Sequence, residues 1–435
     1  MATVLWLSDA GCATGFGHVT HHIGERLVRD YGHDIHVLAV NHRGDYYPSI
    51  LEPERQTYLK LYNPTQLLQS DIYGTSRIQE LLGKLIEAPD GDLDAVVILN
   101  DPNVLLDLLF ENAYDKERLL LQSRPILYYA PVDGTNLPAL WSEMVPKVTN
   151  IVAMSKWGQQ FFATSKMVYH GVDPNHYWSV KDKPITLSNG SLLRTKREAK
   201  RAFGFNEDSF VIGRIDSNSG RKDYPAFLKA VMPLMQKHKD IELFMHTQTV
   251  QMQHGVHIPV MLGRWPDVDN KRIHTPGNYT RYSGWPTQDM NGLINAFDIF
   301  VTTSRGEGFG LSNAQSLACG VPVVAQNVSA NPEVIGPGGV LIEPLERLIT
   351  VPAGHDMWLA DINAFSREIE HLYEARGVVR KLGEAGKEHV RKSFSWDVAA
   401  AKFHSYITGL SNVQPPSEVE DVDQGLSTAM TTSLD

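Results

Sequence analysis

A chain of 435 residues, 42% hydrophobic and 21% charged, exceeds what one ordinary hydrophobic core accommodates, so two domains are expected. A formal net charge of −10 disfavours general binding to nucleic-acid backbones, which needs Lys and Arg clustered on one face. No stretch reaches the roughly eighteen consecutive apolar residues of a membrane span. The N-terminus lacks the basic start of a signal peptide, and only Cys12 and Cys319 are present, so a soluble, cytoplasmic protein without a disulfide is expected.

From the N-terminus, short apolar runs alternate with longer amphipathic ones, the pattern of helices around a parallel sheet. Strands are predicted at 4–7, 35–40, 95–99, 126–129 and 151–154. Between the first two, Val19, Ile23, Leu27 and Tyr31 recur every four residues and Gly32 follows, predicting a helix over 18–31. The stretch 176–208 turns polar and basic, with Lys181, Lys183, Arg194, Lys196, Arg197, Lys200 and Arg201. It reads as a linker and a helix whose charges form a solvated face. A second α/β unit then begins at 210–215, with strands at 242–246, 299–302 and 321–325. From 412 onward Pro, Ser, Glu, Asp and Thr dominate, and the tail 412–435 is expected to be disordered.

The strongest chemical signal runs from Thr303 to Gln315. A predicted strand ends, a glycine-rich turn carries Glu307, and a helix starts near Leu311, so backbone N–H groups and the positive helix end converge beside a carboxylate. The glycines admit close approach of a ligand, and Glu307 can accept hydrogen bonds from sugar hydroxyls next to a bound phosphate. The same residues also read as a tight turn with a carboxylate at a helix dipole.

Glu307, the Gly308-Phe309-Gly310 turn, the residue eight positions after Glu307, and the following Ala318, Gly320 and Pro322-Val323 resemble the signature of the retaining glycosyltransferases of family four, the group 1 glycosyl transferases. The resemblance implies a GT-B fold: α/β, with two Rossmann-like domains facing across a cleft and a C-terminal helix returning to the first domain. The implied division is 1–178 for the acceptor-side domain, completed by a helix at about 394–411; 179–208 for the linker and helix; and 209–393 for the nucleotide-sugar domain. Tyr169-His170-Gly171-Val172-Asp173 resembles the crossover between the domains, and Phe394-Ser395-Trp396 the start of the returning helix.

What the resemblance implies for function is transfer of a hexose-type sugar from a nucleotide-diphosphate donor, with retention, and with neither metal nor cofactor. Glu307 would hold the donor sugar. The family's second acid, which grips the ribose, falls on Gln315, an amide that bonds hydroxyls without charge. Arg214 and Lys222 are the candidates for clamping the diphosphate, with Arg221 as a competing register; fixed cations there would stabilise the departing phosphate. Gly308, Phe309, Gly310, Leu311 and Ser312 complete the donor side of the second domain.

In the first domain, the loop 8–18 joins strand to helix, and Gly15, Gly17 and His18 are candidates facing the donor. Its glycines at 11, 15 and 17 miss the G-x-G-x-x-G spacing, which disfavours a nicotinamide cofactor. Asp133, at another strand end, is the candidate acid near the transferred sugar or acceptor, although a turn former ahead of Gly134 would serve the same position. His18 and His22 lie one helical turn apart, but no H-E-x-x-H signature accompanies them and zinc is disfavoured. The acceptor is open among glycan, lipid, protein and nucleic acid; aromatics in 46–62 and 135–145 are candidates to contact it. A nucleotide-sugar epimerase or hydrolase of the same fold, and a non-catalytic sugar-nucleotide binder, are the alternatives.

Overall fold

The computed structural model describes residues 1–40, 58–62, 81, 84–85, 93–101, 124–138, 148, 150–162, 166–250, 255–277, 284–350 and 354–410. The tail from 412 and most of the aromatic segments 46–62 and 135–145 lie outside these residues.

The first domain is built on β1 (Thr3–Asp9), β2 (Asp34–Val40), β3 (Lys60–Tyr62), β4 (Leu93–Ile98), β5 (Ile126–Ala130), β6 (Asn150–Ala153) and β7 (Lys166–Met167). They form one sheet in the order β3-β2-β1-β4-β5-β6-β7, parallel throughout. β1, β4 and β5 are buried almost throughout, as expected of strands covered on both faces. The helix Gly15–Tyr31 starts where the Thr14 hydroxyl accepts the Gly17 N–H and stops at Gly32, whose φ of 69° places it in the left-handed region.

A short antiparallel hairpin, β8 (Ile185–Thr186) and β9 (Leu192–Leu193), leads into the second domain. There β10 (Phe210–Ile215), β11 (Ile241–His246), β12 (Ile273–His274), β13 (Ile299–Val301), β14 (Val323–Gln326) and β15 (Gly339–Ile342) form a parallel sheet in the order β12-β11-β10-β13-β14-β15. A second hairpin, β16 (Glu346–Ile349) and β17 (Asp356–Leu359), leans from this domain onto the first. Both sheets reverse strand order beside their first strand, the switch point where open α/β sheets place ligands. The predicted strands match to within two residues at each end. β3, β7, β8, β9 and β12 were not predicted because two or three residues show no period, and the four-residue β15, β16 and β17 were not predicted either.

The helix Trp396–Leu410 packs on the first sheet although it is encoded last. Trp396, Ala399, Ala400, Phe403, Ile407 and Leu410 are its buried stripe. Phe403 sits between Trp6, at 5.6 Å, and Tyr129, edge-on at 5.0 Å. The two crossovers touch: a Cβ at Gly171 would lie 2.2 Å from the Trp396 nitrogen, and the Val172 N–H donates to the Phe394 carbonyl.

The basic stretch corrects one expectation. The helix Lys196–Ala202 forms, with a capping box between Thr195 and Glu198, but two of its lysines point inward. Lys200 reaches Asp298 at 2.8 Å and the Ser209 carbonyl at 2.6 Å, and Lys196 reaches Asp298 at 3.4 Å. Burial works to protonate Asp298, but the two lysines outweigh it and lower its pKa. Arg197 and Arg201, paired with Asp208 and Glu207, keep to the solvated face, and Lys181, Lys183 and Arg194 are exposed as expected. Charge patterning cannot tell these apart, because a single buried aspartate 98 residues away decides which lysines turn in.

Phe403→Ala removes a ring that is 0% exposed, so a stability loss of about 3–5 kcal/mol is expected, read in urea unfolding followed by first-domain fluorescence. A loss under about 1 kcal/mol would show that the returning helix does not complete that core.

Candidate functional site

The carboxyl ends of the two sheets face one another across a cleft of about 530 Å³. Its second-domain wall is the turn after β13. Gly310, at φ 92°, adopts a conformation that L side chains avoid, and its carbonyl accepts the Asn313 and Ala314 N–H groups of the helix Leu311–Ala318. At Gly306 the constraint is contact rather than φ: a Cβ there would lie 1.9 Å from the Asp133 carbonyl oxygen of the other domain. Glu307, Gly308, Phe309, Gly310, Leu311, Ser312 and Gln315 all line the cleft, as do Gly15, His18 and Asp133 from the first domain.

Glu307 is 6% exposed and ionised. Lys222 Nζ lies 2.5 Å from its Oε1, Arg221 Nη1 lies 3.2 Å from its Oε2, and its own N–H donates to Ser329 Oγ. Burial opposes its charge, but Lys222 and Arg221 outweigh that and hold the carboxyl at about 2. Arg221 also spans the domains to Asp133, Nε to Oδ2 at 3.1 Å, and Asp133 has His355 at 3.4 Å on its other oxygen. Lys222 additionally contacts Asp216 at 2.8 Å. Both cations come from a single 3₁₀ turn, Gly220–Lys222, held open by Asp223 at φ 47°. Asp223 caps the next helix at the Ala226 N–H and pairs with Arg305.

Two expectations are corrected. Arg214 is 0% exposed and does not line the cleft. Its guanidinium donates to the Lys222 carbonyl and to Thr303 Oγ1, pairs with Asp216 at 3.3 Å, and stacks on Tyr224 at 4.1 Å. It props the cationic turn from behind, while Arg221, the competing register, lines the cleft beside Lys222. Gly17 is also out of the cleft: its N–H donates to Thr14 Oγ1, and a Cβ would lie 2.4 Å from the Cys12 carbonyl oxygen. Its glycine serves the start of the helix.

The structure adds residues that the sequence did not single out. Asp101 follows β4 and faces the cleft; desolvation between the walls and the nearby Asp133 charge raise its carboxyl to about 6. Its signal was a carboxylate within four residues of a predicted strand end, the same signal that selected Asp133. His246 and Trp285 line the far end of the cleft, edge to face at 4.9 Å, and burial lowers the His246 pKa to about 4. Nothing in their spacing connects them, since β11 and a loop 38 residues later meet only through the sheet.

Among the described residues, one group has metal-ligand composition: His22, Asp173 and His176, with ligand atoms within 4.8 Å of one another. Arg26 already lies in it, 3.1 Å from Asp173 and 3.3 Å from His22 Nδ1, supplying a cation from the chain itself.

Residues 207–374 match the family model described as glycosyl transferases group 1. The chain is 28% identical over 207 residues to O-antigen chain mannosyltransferase B of Escherichia coli, covering 40% of this chain and 53% of that one. It is 30% identical over 250 residues to D-inositol 3-phosphate glycosyltransferase of Streptomyces griseus, covering 55% and 47%. The matched segments thus span about half the length of these relatives. Among solved structures, HepE of Anabaena in complex with UDP and glucose superposes with a TM-score of 0.67 at 14% identity, covering 94% of this chain and 100% of that one. A glycosyltransferase from Rickettsia africae gives 0.64 at 15%, covering 94% and 99%. The fold these structures share is GT-B.

Two expectations follow from the ion network. Arg214→Ala removes the fully buried one of the two cations on Asp216, leaving it Lys222 alone, and should cost roughly 3–5 kcal/mol in chemical denaturation; an unchanged midpoint would mean that the turn stands without its prop. The Glu307 carboxyl is lowered in the folded state, so its contribution is present above the ordinary value of 4.5 and lost as pH falls toward about 2. Glu307→Gln should flatten the acid limb of stability against pH in that window, and an identical limb in both proteins would contradict the network.

Proposed function

Through its second domain this chain belongs to the group 1 glycosyl transferases, and from that premise we propose that it transfers a hexose-type sugar from a nucleotide-diphosphate donor to an acceptor hydroxyl, with retention at the anomeric carbon. The observation that carries the reading is the pair Arg221 and Lys222 gathered around Glu307 at the lip of a helix N-terminus, inside an interdomain cleft.

In this reading the diphosphate lies against the first turn of the helix Leu311–Ala318 and draws Arg221 and Lys222 toward it. Glu307 orients the sugar hydroxyls, Gly15 and His18 approach from the first domain, and Gln315 bonds the ribose. Trp285, with His246 edge-on to it, offers the base an aromatic surface. A hexose donor is supported by the mannosyltransferase among the relatives and by the UDP and glucose in the HepE complex.

A carboxylate held at about 2 by two cations is a poor nucleophile, so Glu307 suits orientation better than covalent attack. Retention is therefore assigned to attack from the same face. The bond from the anomeric carbon to the phosphate oxygen breaks as the bond to the acceptor oxygen forms, and the acceptor proton passes to the departing phosphate. The charge on that phosphate is met by cations from the chain, with Asp133 on the acceptor side. Location in the cytoplasm is part of the proposal, in keeping with two buried cysteines that form no disulfide.

Thermal shift with UDP, GDP, ADP, TDP and CMP tests the donor site. A ligand at a hundred times its dissociation constant adds about 2.7 kcal/mol, several degrees for a protein of this size. One diphosphate should shift the native chain and fail to shift Lys222→Ala, whose turnover should fall about a hundredfold or more. No shift with any nucleotide would remove the glycosyltransferase reading.

A further inference from the structure

Four carboxylates line the cleft: Asp101, Asp133, Asp216 and Glu307. Three are committed. Asp133 holds Arg221 and His355, Asp216 holds Arg214 and Lys222, and Glu307 holds Lys222 and Arg221. Asp101 alone has a carboxylate with no hydrogen bond or ion pair among the described residues, and it is exposed to the cleft.

Its surroundings define what it can take. Asp9, Asp101 and Asp133 stand at the carboxyl ends of β1, β4 and β5, three neighbouring strands. The charged and titratable groups that act on Asp101 are Asp133, Arg221, Asp9 and His355. Arg221, the cation that acts on it most, is bound by Asp133 and Glu307. A hydrogen-bond donor therefore meets a ready acceptor here, whereas a phosphate or carboxylate meets the like charge of Asp101 and its neighbours Asp133 and Asp9.

Resting on the glycosyltransferase reading, we propose that Asp101 positions the acceptor: it receives a hydrogen bond from the hydroxyl of an uncharged polyol and excludes acceptors that carry a phosphate at that point. This departs from the chemistry named for the Streptomyces griseus relative, whose acceptor is D-inositol 3-phosphate. With the carboxyl raised to about 6, the ionised acceptor-binding form is present above that pH and is lost as pH falls through it. Desolvation of that charge also opposes stability at neutral pH, so replacing it with an amide should not weaken the fold.

The test compares the native chain with Asp101→Asn and Asp101→Glu, using the donor identified by thermal shift. The acceptor probes are methyl α-mannoside and its 6-phosphate, myo-inositol and its 1-phosphate, and water, read as donor hydrolysis. The expected result is preference for the neutral member of each pair. Asp101→Asn should lower turnover with neutral acceptors, or with water where neither polyol is glycosylated, by about tenfold or more. It should also remove the acid-side decline near pH 6. The donor's thermal shift should be unchanged, the melting temperature equal or higher, and Asp101→Glu partly active. The proposal is overturned if a phosphorylated probe is the better acceptor, if Asp101→Asn keeps native turnover and acid limb, or if it melts lower and loses the donor shift, the sign of a structural role. A native chain that shifts with its donor but shows no Asp101 effect retains the donor reading and loses this one; a native chain with no nucleotide shift loses both.

Discussion

Everything in the cleft depends on keeping one buried carboxylate charged. Glu307 is almost sealed from solvent, and an isolated carboxylate there would take up a proton. Arg221 and Lys222 prevent that, and their positions follow from constraints stacked behind them. Arg214 fixes the Lys222 carbonyl, and Asp223 accepts a positive φ to start the next helix directly after the cations. In the proposed reading, the charge that orients a sugar and the charges that meet a phosphate are thus one network, in which each member lowers the cost of burying the others.

The same network closes the molecule. Among the described residues, Arg221 is the only one of the 3₁₀ turn paired with the opposite domain, through Asp133, and the backbone beside that contact is tight enough to require glycine at 306. Further along the seam, Thr135 and Asp356 exchange backbone hydrogen bonds, and Glu333 accepts the N–H groups of Lys156 and Trp157 and the Tyr169 hydroxyl. A diphosphate that draws Arg221 toward itself weakens its hold on Asp133. In the proposed reading, donor binding and interdomain contact share one guanidinium, which gives a physical route by which occupancy of one domain is felt by the other. Asp133, relieved of that partner, becomes available on the acceptor side.

Charge complementarity across the cleft has a direction. The first-domain wall carries carboxylates at strand ends, Asp101 and Asp133, with no cation of its own among the described lining residues, whereas the second-domain wall brings Arg221 and Lys222 from the β10 loop together with Asp216 and Glu307. A donor with two phosphates and an acceptor with hydroxyls would each meet the wall that suits it. Such a division lets a cleft bind anionic and neutral partners side by side without a single strong field of either sign.

The sequence by itself determined the two α/β domains, most of their strands, the helix ending at Gly32, the returning helix at 396–410 and the Glu307 turn. Apart from the returning helix, which came from the resemblance of Phe394-Ser395-Trp396 to a known family, these rest on local periodicity, capping residues and glycines, all readable within a dozen residues. It also gave the cationic loop, because a charge run after a strand is local. What only the tertiary structure decided is which members of such runs face the cleft. Arg214 and Arg221 are equally basic in sequence, yet one is sealed against Tyr224 and the other spans two domains. Lys196 and Lys200 turned inward for the same reason, a single distant carboxylate, and Asp101 became the unpaired acid of the cleft only because β4 lies between β1 and β5. Direction and partnership are set by contacts dozens to hundreds of residues apart, and local pattern carries no record of them.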